Sequence, residues 1–265
     1  MTDSTNFSIP LFVPANRPER FGKAAASGAD AIVIDLEDAV PADRKDAARS
    51  ALTTDFTALP VLVRVNGEGT PWHAEDMRAV ARLPALAGVI VPKAEAGGGL
   101  ADIARSSHVP VIPLIETAKG LSHARQIAAL PGIVRLIFGS VDYCADLGCA
   151  HTREALLSAR SELVLASRLA GLQSPIDGVT TAIDDEGLVQ SDACHAQQLG
   201  FGGKLAIHPR QIGAIRAGFK PERSAIEWAK RVLAGGGGAI AVDGAMVDEP
   251  VRIRARAVLS RAAAE

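Results

Sequence analysis

Short runs of Val, Ile and Leu recur along the chain, each closed by polar residues and followed by an Ala-rich or charged stretch of helical character. Six are strong: residues 9–13, 31–36, 61–65, 88–91, 109–115 and 134–138. Two weaker runs follow at 174–177 and 204–207. The runs are continuous rather than alternating, the pattern of strands covered on both faces in a parallel sheet. Most begin about 20–30 residues apart, the length of one strand–helix unit. The wider gap before the seventh run predicts a long helix over about Thr152 to Ala170. Eight such units predict an α/β fold, a (β/α)8 TIM barrel. A doubly wound open sheet is the competing arrangement. No G-x-G-x-x-G follows the first run, where a dinucleotide site would need it.

Local signals refine this outline. Pro18 stands where a helix would start, since its missing N–H is harmless there, and Gly28 suits a helix end. Gly235 to Gly238 form a predicted flexible joint after a helix containing Trp228. Beyond the joint, Asp243-Gly244 lies between apolar flanks and predicts a hairpin. A last helix follows, carrying Arg252, Arg254, Arg256 and Arg261. The expected organisation is a barrel over 1–234 and a hairpin–helix appendage over 235–265, packed on a neighbouring subunit.

Composition narrows the function. In 265 residues, 48% are hydrophobic, and 28 Lys+Arg face 30 Asp+Glu for a net charge of −2. That rules out bulk disorder and argues against an electrostatic nucleic-acid binder. The first six residues lack a basic segment leading into an apolar one, and no uninterrupted apolar run reaches about 18 residues, so neither a secretory leader nor a membrane span is expected. Cys144, Cys149 and Cys194 cannot all pair and are read as reduced thiols of a cytoplasmic protein.

In a barrel the chemistry sits at the C-terminal ends of the strands. The residues after each run are therefore the informative ones. Arg64, between Val63 and Val65, would be a buried cation needing an anionic partner or ligand. Glu116 ends the fifth run and Asp142 follows the sixth. Two carboxylates from adjacent strand ends, completed by water and substrate oxygens, suit Mg²⁺. Asp35, Glu37 and Asp38 crowd three acids into four residues; they are read either as a solvated strand end or as groups orienting metal-bound waters. Arg17, Arg20 and Lys23 form a basic first loop, fit for phosphates. Other motifs fail. Cys144 and Cys149 lack a zinc partner pair and there is no His-Glu-x-x-His. Ser140 lacks the nucleophile-elbow pattern, and Gly97-Gly98-Gly99 lacks a P-loop ending.

These residues resemble the citrate lyase β-subunit-like branch of the HpcH/HpaI aldolase superfamily. The resemblance is carried by Leu11-Phe12-Val13-Pro14-Ala15-Asn16, Asp35-Leu36-Glu37-Asp38-Ala39-Val40 and Val63-Arg64-Val65-Asn66-Gly67. It continues through Pro113-Leu114-Ile115-Glu116-Thr117, Phe138-Gly139-Ser140-Val141-Asp142-Tyr143, Ile207-His208-Pro209-Arg210-Gln211 and Met246-Val247-Asp248-Glu249-Pro250. The segments span nearly the whole chain.

The resemblance implies a (β/α)8 barrel, a homotrimer or larger assembly, and a Mg²⁺-dependent lyase acting on a 3-hydroxyacyl thioester of coenzyme A or an acyl carrier protein. The products would be a 2-oxo acid and an acyl thioester. By position, Glu116 and Asp142 resemble the metal ligands, Arg64 with Asn66 the oxo-acid contacts, and Asp248 the group acting on the acetyl methyl carbon. Arg17, Arg20, Lys23 and His208 resemble the CoA side of the site. Two other functions are weighed. A pyruvate-type class II aldolase acting on free aldehydes would carry Glu-His where this chain has Glu37-Asp38. A non-catalytic CoA- or acyl-carrier-binding subunit would bind thioesters without metal-dependent release of a 2-oxo acid.

Overall fold

The computed structural model describes residues 5–235, 240–242 and 244–263. Eight parallel strands occur in chain order: β1 (Pro10–Pro14), β2 (Ala31–Asp35), β3 (Val61–Arg64), β4 (Gly88–Val91), β5 (Val111–Ile115), β6 (Ile137–Phe138), β7 (Ile176–Asp177) and β8 (Gly203–Lys204). Each pairs with the next. The ring closes where Ala206, just past β8, bridges to Leu11, with Phe12 N–H donating to Ala206 O at 2.9 Å and Ala206 N–H to Pro10 O at 2.9 Å. The (β/α)8 barrel expected from the eight apolar runs is the architecture observed.

The first helices are α1 (Phe21–Ala25), α2 (Lys45–Ser50), α3 (His73–Val80), α4 (Gly98–Ser106), α5 (Ala118–Ser122) and α6 (Ala124–Ala128). Next come α7 (Ser140–Leu147), α8 (Arg153–Leu169), α9 (Glu186–Leu199) and α10 (Gln211–Phe219). The long helix expected near 152–170 is α8, started by Thr152, whose hydroxyl accepts from Ala155 N–H at 3.3 Å. Pro18 opens a short 3₁₀ turn into α1, and Gly28 sits at φ +89°.

Why the runs are continuous is visible in the two cores. Ala31, Val33, Leu62, Ile90, Ile112 and Ile137 fill the barrel interior, while Ile32, Ile34, Val63, Val89 and Val91 face the helices. Both faces are dry. Because side chains alternate with period two, Asp35, Arg64 and Glu116 continue the interior rows of β2, β3 and β5. They emerge together at the C-terminal mouth.

The sixth run yields a strand of two residues rather than five. Arg135 interrupts it: its Nε donates to Ser174 O at 2.6 Å and its Nη1 to Phe7 O at 2.5 Å, plugging the N-terminal end of the barrel. β8 is equally short. A Cβ on Gly203 would meet Ser8 O at 2.1 Å, so glycine is what lets the last strand approach the chain before β1.

Between strands and helices lies a buried ion cluster. Asp177 accepts from Arg160 Nε at 2.9 Å and from Lys204 Nζ at 3.1 Å. Both cations hold its pKa below the ordinary value despite burial. Asp177→Asn is expected to destabilise the fold by about 3–5 kcal/mol, since two buried cations lose their shared anion. A folded-state pKa below the unfolded one means this stabilisation is complete above the unfolded pKa and is lost as pH falls through the folded value. Denaturant titration of wild type and variant at neutral and acid pH checks both points; equal stabilities at neutral pH would refute the first.

The C-terminal part builds its own small core. α11 (Arg223–Ala234), the antiparallel pair β9 (Ile240–Val242) and β10 (Ala245–Val247), and α12 (Glu249–Ala263) follow α10. Ala229, Val232, Val247, Ala255 and Val258 pack together, and Arg254 lies 5.0 Å from the Trp228 ring centre. Thus α11, ahead of the expected joint, shares this core with the appendage. The hairpin expected about Asp243-Gly244 is present, with Gly244 at φ +79°. Asp243 and Gly236 to Gly238 of the expected joint lie outside the described residues. Among the described residues no helix is long and apolar enough to cross a membrane. All three cysteines are free.

Candidate functional site

A cavity of about 460 Å³ opens at the barrel mouth, and Asp35, Asp38, Arg64, Glu116, Ser140 and Asp142 are on its wall. Arg64 is gripped on its inner side. Nε and Nη2 reach Asp35 Oδ1 and Oδ2 at 2.7 and 2.8 Å, a bidentate pair. Nη1 lies 2.9 Å from Glu37 Oε2, an ion pair without hydrogen-bond alignment, and 3.4 Å from Asp38 Oδ2. Asp35 is itself fixed, accepting from Glu37 N–H at 2.9 Å and Ala39 N–H at 3.1 Å. The guanidinium, over the Phe12 ring at 4.8 Å, is therefore permanently charged and held in one orientation. Its partners answer the buried-cation question raised by the sequence: the acids of the Asp35-Leu36-Glu37-Asp38 segment surround Arg64.

Glu116 is almost wholly buried, 1% exposed. Lys93 N–H donates to its Oε1 at 2.7 Å. A Cβ on Gly139 would fall 2.4 Å from the Glu116 side chain, so glycine there lets the start of α7 close on Glu116 and brings Asp142 beside it. Burial first, then the charges of Glu37 and Asp142, pushes the Glu116 carboxyl up to about 8. Lys93 relieves part of that field, its Nζ lying 2.7 Å from Glu37 and 3.9 Å from Glu116. Lys93 holds φ at +48°, an uncommon conformation for a residue with a side chain. The turn aims its N–H at one carboxylate and its ammonium at the other. In the sequence Lys93 is one lysine two residues past an apolar run, with no signal for this role.

Two hard oxygen donors on the wall of one cavity, each adding negative charge to the other's surroundings, fit a divalent cation such as Mg²⁺, whose binding would release the Glu116 proton. No group of three or more His, Cys, Asp or Glu side chains forms a metal cage among the described residues. A site of two carboxylates leaves positions open for substrate and water.

Other expected site residues stand apart. Asn66 has a fully engaged amide: Nδ2 donates to Asp76 Oδ2 at 2.6 Å and Leu36 O at 3.1 Å, and Oδ1 accepts from Lys45 Nζ at 2.7 Å. It lines a separate cavity of about 410 Å³ with Lys45, Trp72 and Lys93. Lys45 and Asp76, which brace it, carry no sequence signal, being one charge among many on helical stretches. Arg17, Arg20 and Lys23 are exposed, but they do not form one basic loop: only Arg17 lies on the loop after β1, Arg20 ends the 3₁₀ turn and Lys23 is in α1; Arg17 shares a cavity of about 560 Å³ with Arg44. His208 Nδ1 accepts from Arg210 N–H at 3.2 Å, while its neighbour Ile207 lines the mouth. Asp248 accepts from Val251 N–H at 3.4 Å at the start of α12 and does not line the mouth of its own chain.

One pairing was not foreseen. His151 Nε2 lies 2.9 Å from Ser140 Oγ, which ties the loop before α8 to the wall of the main cavity. Burial, then the charges of Arg160 and Lys204, lowers the His151 pKa, which keeps the ring neutral near pH 7.

The chain is 38% identical to a citrate lyase subunit beta-like protein of Deinococcus radiodurans, with 96% of each covered. It is 34% identical to a (3S)-malyl-CoA thioesterase of Cereibacter sphaeroides, covering 97% of this chain and 95% of that one. Its fold superposes with a TM-score of 0.88 on CitE from Mycobacterium tuberculosis in complex with magnesium, acetoacetate and coenzyme A, at 37% identity and 98% and 99% coverage. Residues 8–209 match the HpcH/HpaI aldolase/citrate lyase family model, which takes in every strand of the barrel. The chain belongs to the HpcH/HpaI aldolase/citrate lyase family.

Proposed function

We propose that this protein is a Mg²⁺-dependent carbon–carbon lyase that cleaves, or forms, a 3-hydroxyacyl thioester, giving a 2-oxo acid and an acyl thioester. The observation that carries this reading is the convergence of Arg64, Glu116 and Asp142 on one cavity at the barrel mouth. The magnesium, acetoacetate and coenzyme A held by the M. tuberculosis relative support the same ligand classes here.

Glu116 and Asp142 would hold the metal, which supplies Lewis-acid polarisation of substrate oxygens when bound. Arg64 stabilises the oxygen that becomes the keto group. Its orientation by Asp35 and Glu37 precedes substrate binding, so no reorganisation is needed during the reaction. Asp35, Glu37 and Asp38 thus act on the substrate through Arg64. The enolate left on the thioester fragment needs a proton, and Asp248, free of its own chain's mouth, would deliver it into a neighbouring subunit's cavity in a homotrimer. Arg17, Arg20, Lys23 and His208 lie outside the main cavity and would contact the phosphates of coenzyme A or of an acyl carrier's prosthetic arm.

Binding of oxaloacetate, pyruvate and glyoxylate measured calorimetrically with and without Mg²⁺ tests the reading. Mg²⁺-dependent binding of at least one acid is expected; binding indifferent to Mg²⁺ would overturn it. Asp248→Asn is expected to lose most turnover on a malyl-, citramalyl- or citryl-thioester while keeping wild-type Mg²⁺ affinity. A fully active variant would remove Asp248 from the mechanism.

A further inference from the structure

A second cavity, of about 260 Å³, opens beside the first. Its wall includes His151, Arg153 and Arg160 from the start and middle of the α8 region, Asp192 from α9, and Thr180 and Thr181 beyond β7. Thr181 lines both cavities. Ser140 on the wall of the first cavity and His151 on the wall of the second are in direct contact at 2.9 Å.

The charges of this second cavity are unbalanced. Arg160 spends Nε and Nη2 on Asp177 at 2.9 and 3.3 Å. Arg153 spends Nε and Nη2 on Asp192, at 3.1 and 2.8 Å, and Nη2 also on Ser191. Neither Nη1 donates a hydrogen bond to a described residue. Lys204 stands behind Arg160 against the same Asp177. On the wall itself Arg153 and Arg160 meet one carboxylate, Asp192; Lys204 and Asp177 lie behind it and offset each other. Asp192 is further occupied by the Thr180 hydroxyl at 2.9 Å. The excess charge is felt at His151, held neutral in part by Arg160 and Lys204.

We infer that the second cavity is a carboxylate subsite, which receives the distal carboxylate of a dicarboxylic 2-oxo acid unit whose 2-oxo end lies in the main cavity. Spare guanidinium N–H groups suit a planar carboxylate, and the volume is too small for a nucleotide. The inference rests on the lyase reading and adds a preference to it. Thioesters that release a 2-oxo dicarboxylate are favoured over those that release a 2-oxo monocarboxylate. Arg153 and Thr181 become specificity residues rather than participants in bond cleavage.

Calorimetry on the full chain with Mg²⁺ compares oxaloacetate with pyruvate, for wild type, Arg153→Met and Arg153→Lys. Wild type is expected to bind oxaloacetate at least about tenfold more tightly, the value of one charge-assisted hydrogen bond. Arg153→Met should remove most of that gap and leave pyruvate unchanged, and Arg153→Lys should restore part of it. Thr181→Val, which deletes only a hydroxyl at the junction, should narrow the gap and keeps the test open if Arg153→Met fails to fold. No preference in wild type, or an equal loss for both acids, overturns the subsite. So does Arg153-dependent binding of inorganic phosphate without an oxo-acid preference, which marks a free-anion site. Turnover of citryl- and citramalyl-CoA separates the two readings. If the binding preference holds and neither of these thioesters nor malyl-CoA is cleaved, the lyase reading falls and the subsite stands. Cleavage of both with no Arg153-dependent difference does the reverse.

Discussion

Glu116→Gln and Asp142→Asn are each expected to abolish measurable Mg²⁺ binding and to cut thioester cleavage by about a thousandfold or more. The physical basis is charge. Polarisation by the metal is worth several kcal/mol at the transition state, and each 1.36 kcal/mol is a factor of ten. Each variant removes one of the two anionic donors and leaves the second too weak to dehydrate a hard cation. Folding should survive in both. Neutralising Glu116 relieves a buried carboxylate already pushed up to about 8 by burial and by Glu37 and Asp142, so this variant is expected to match or exceed wild-type stability. Mg²⁺ titration, thermal unfolding and turnover on the same preparations check the prediction. A Glu116→Gln protein that binds Mg²⁺ normally and turns over at the wild-type rate would end the metal assignment.

Arg64→Met has the opposite stability signature. The guanidinium is the main counter-charge for Asp35 and Glu37, both buried. Removing it leaves buried Asp35 without a cation and Glu37 with Lys93 alone, an expected loss of about 3–5 kcal/mol. Activity should fall by a further factor of about 10²–10³ at temperatures where the variant is still folded, the usual effect of deleting one donor to a developing oxyanion. Arg64→Lys keeps the charge but not the paired Nε and Nη2 bonds to Asp35, so it should recover much of the stability and little of the activity. Denaturant midpoints at constant slope, read beside turnover, separate the two contributions. If Arg64→Lys is as active as wild type, the orientation by Asp35 is irrelevant to catalysis.

The barrel was legible because its strands are buried on both faces. Val33, Leu62 and Ile112 must fill the interior while Ile32, Val63 and Val111 meet the helices, and only uninterrupted apolar runs satisfy both. Strand lengths were less legible, since Arg135 and Gly203 end β6 and β8 through contacts with residues 5–8, far away in sequence. The site divides in the same way. Asp35, Arg64 and Glu116 could be found because period two carries them along interior rows to the mouth. Lys93 could be placed at a strand end but not assigned, because its role depends on a positive φ at one residue. Asn66, an oxo-acid contact by resemblance, is braced in structure by Lys45 and Asp76, whose positions on helices give no hint of a shared partner. The His151–Ser140 contact joins residues of an irregular loop and a helix start, where no periodic signal exists.

Carbon–carbon cleavage supported by a metal at Glu116 and Asp142 is the reaction proposed for the barrel mouth. Its most direct test is the product ratio from citryl-, citramalyl- and malyl-CoA incubated with the purified protein, with Mg²⁺ and with a chelator. A 2-oxo acid and a shorter acyl thioester in equal amounts, from at least one substrate and only with Mg²⁺, is the predicted result. Free coenzyme A with an intact hydroxy acid and no 2-oxo acid, or cleavage that persists in chelator, would contradict it.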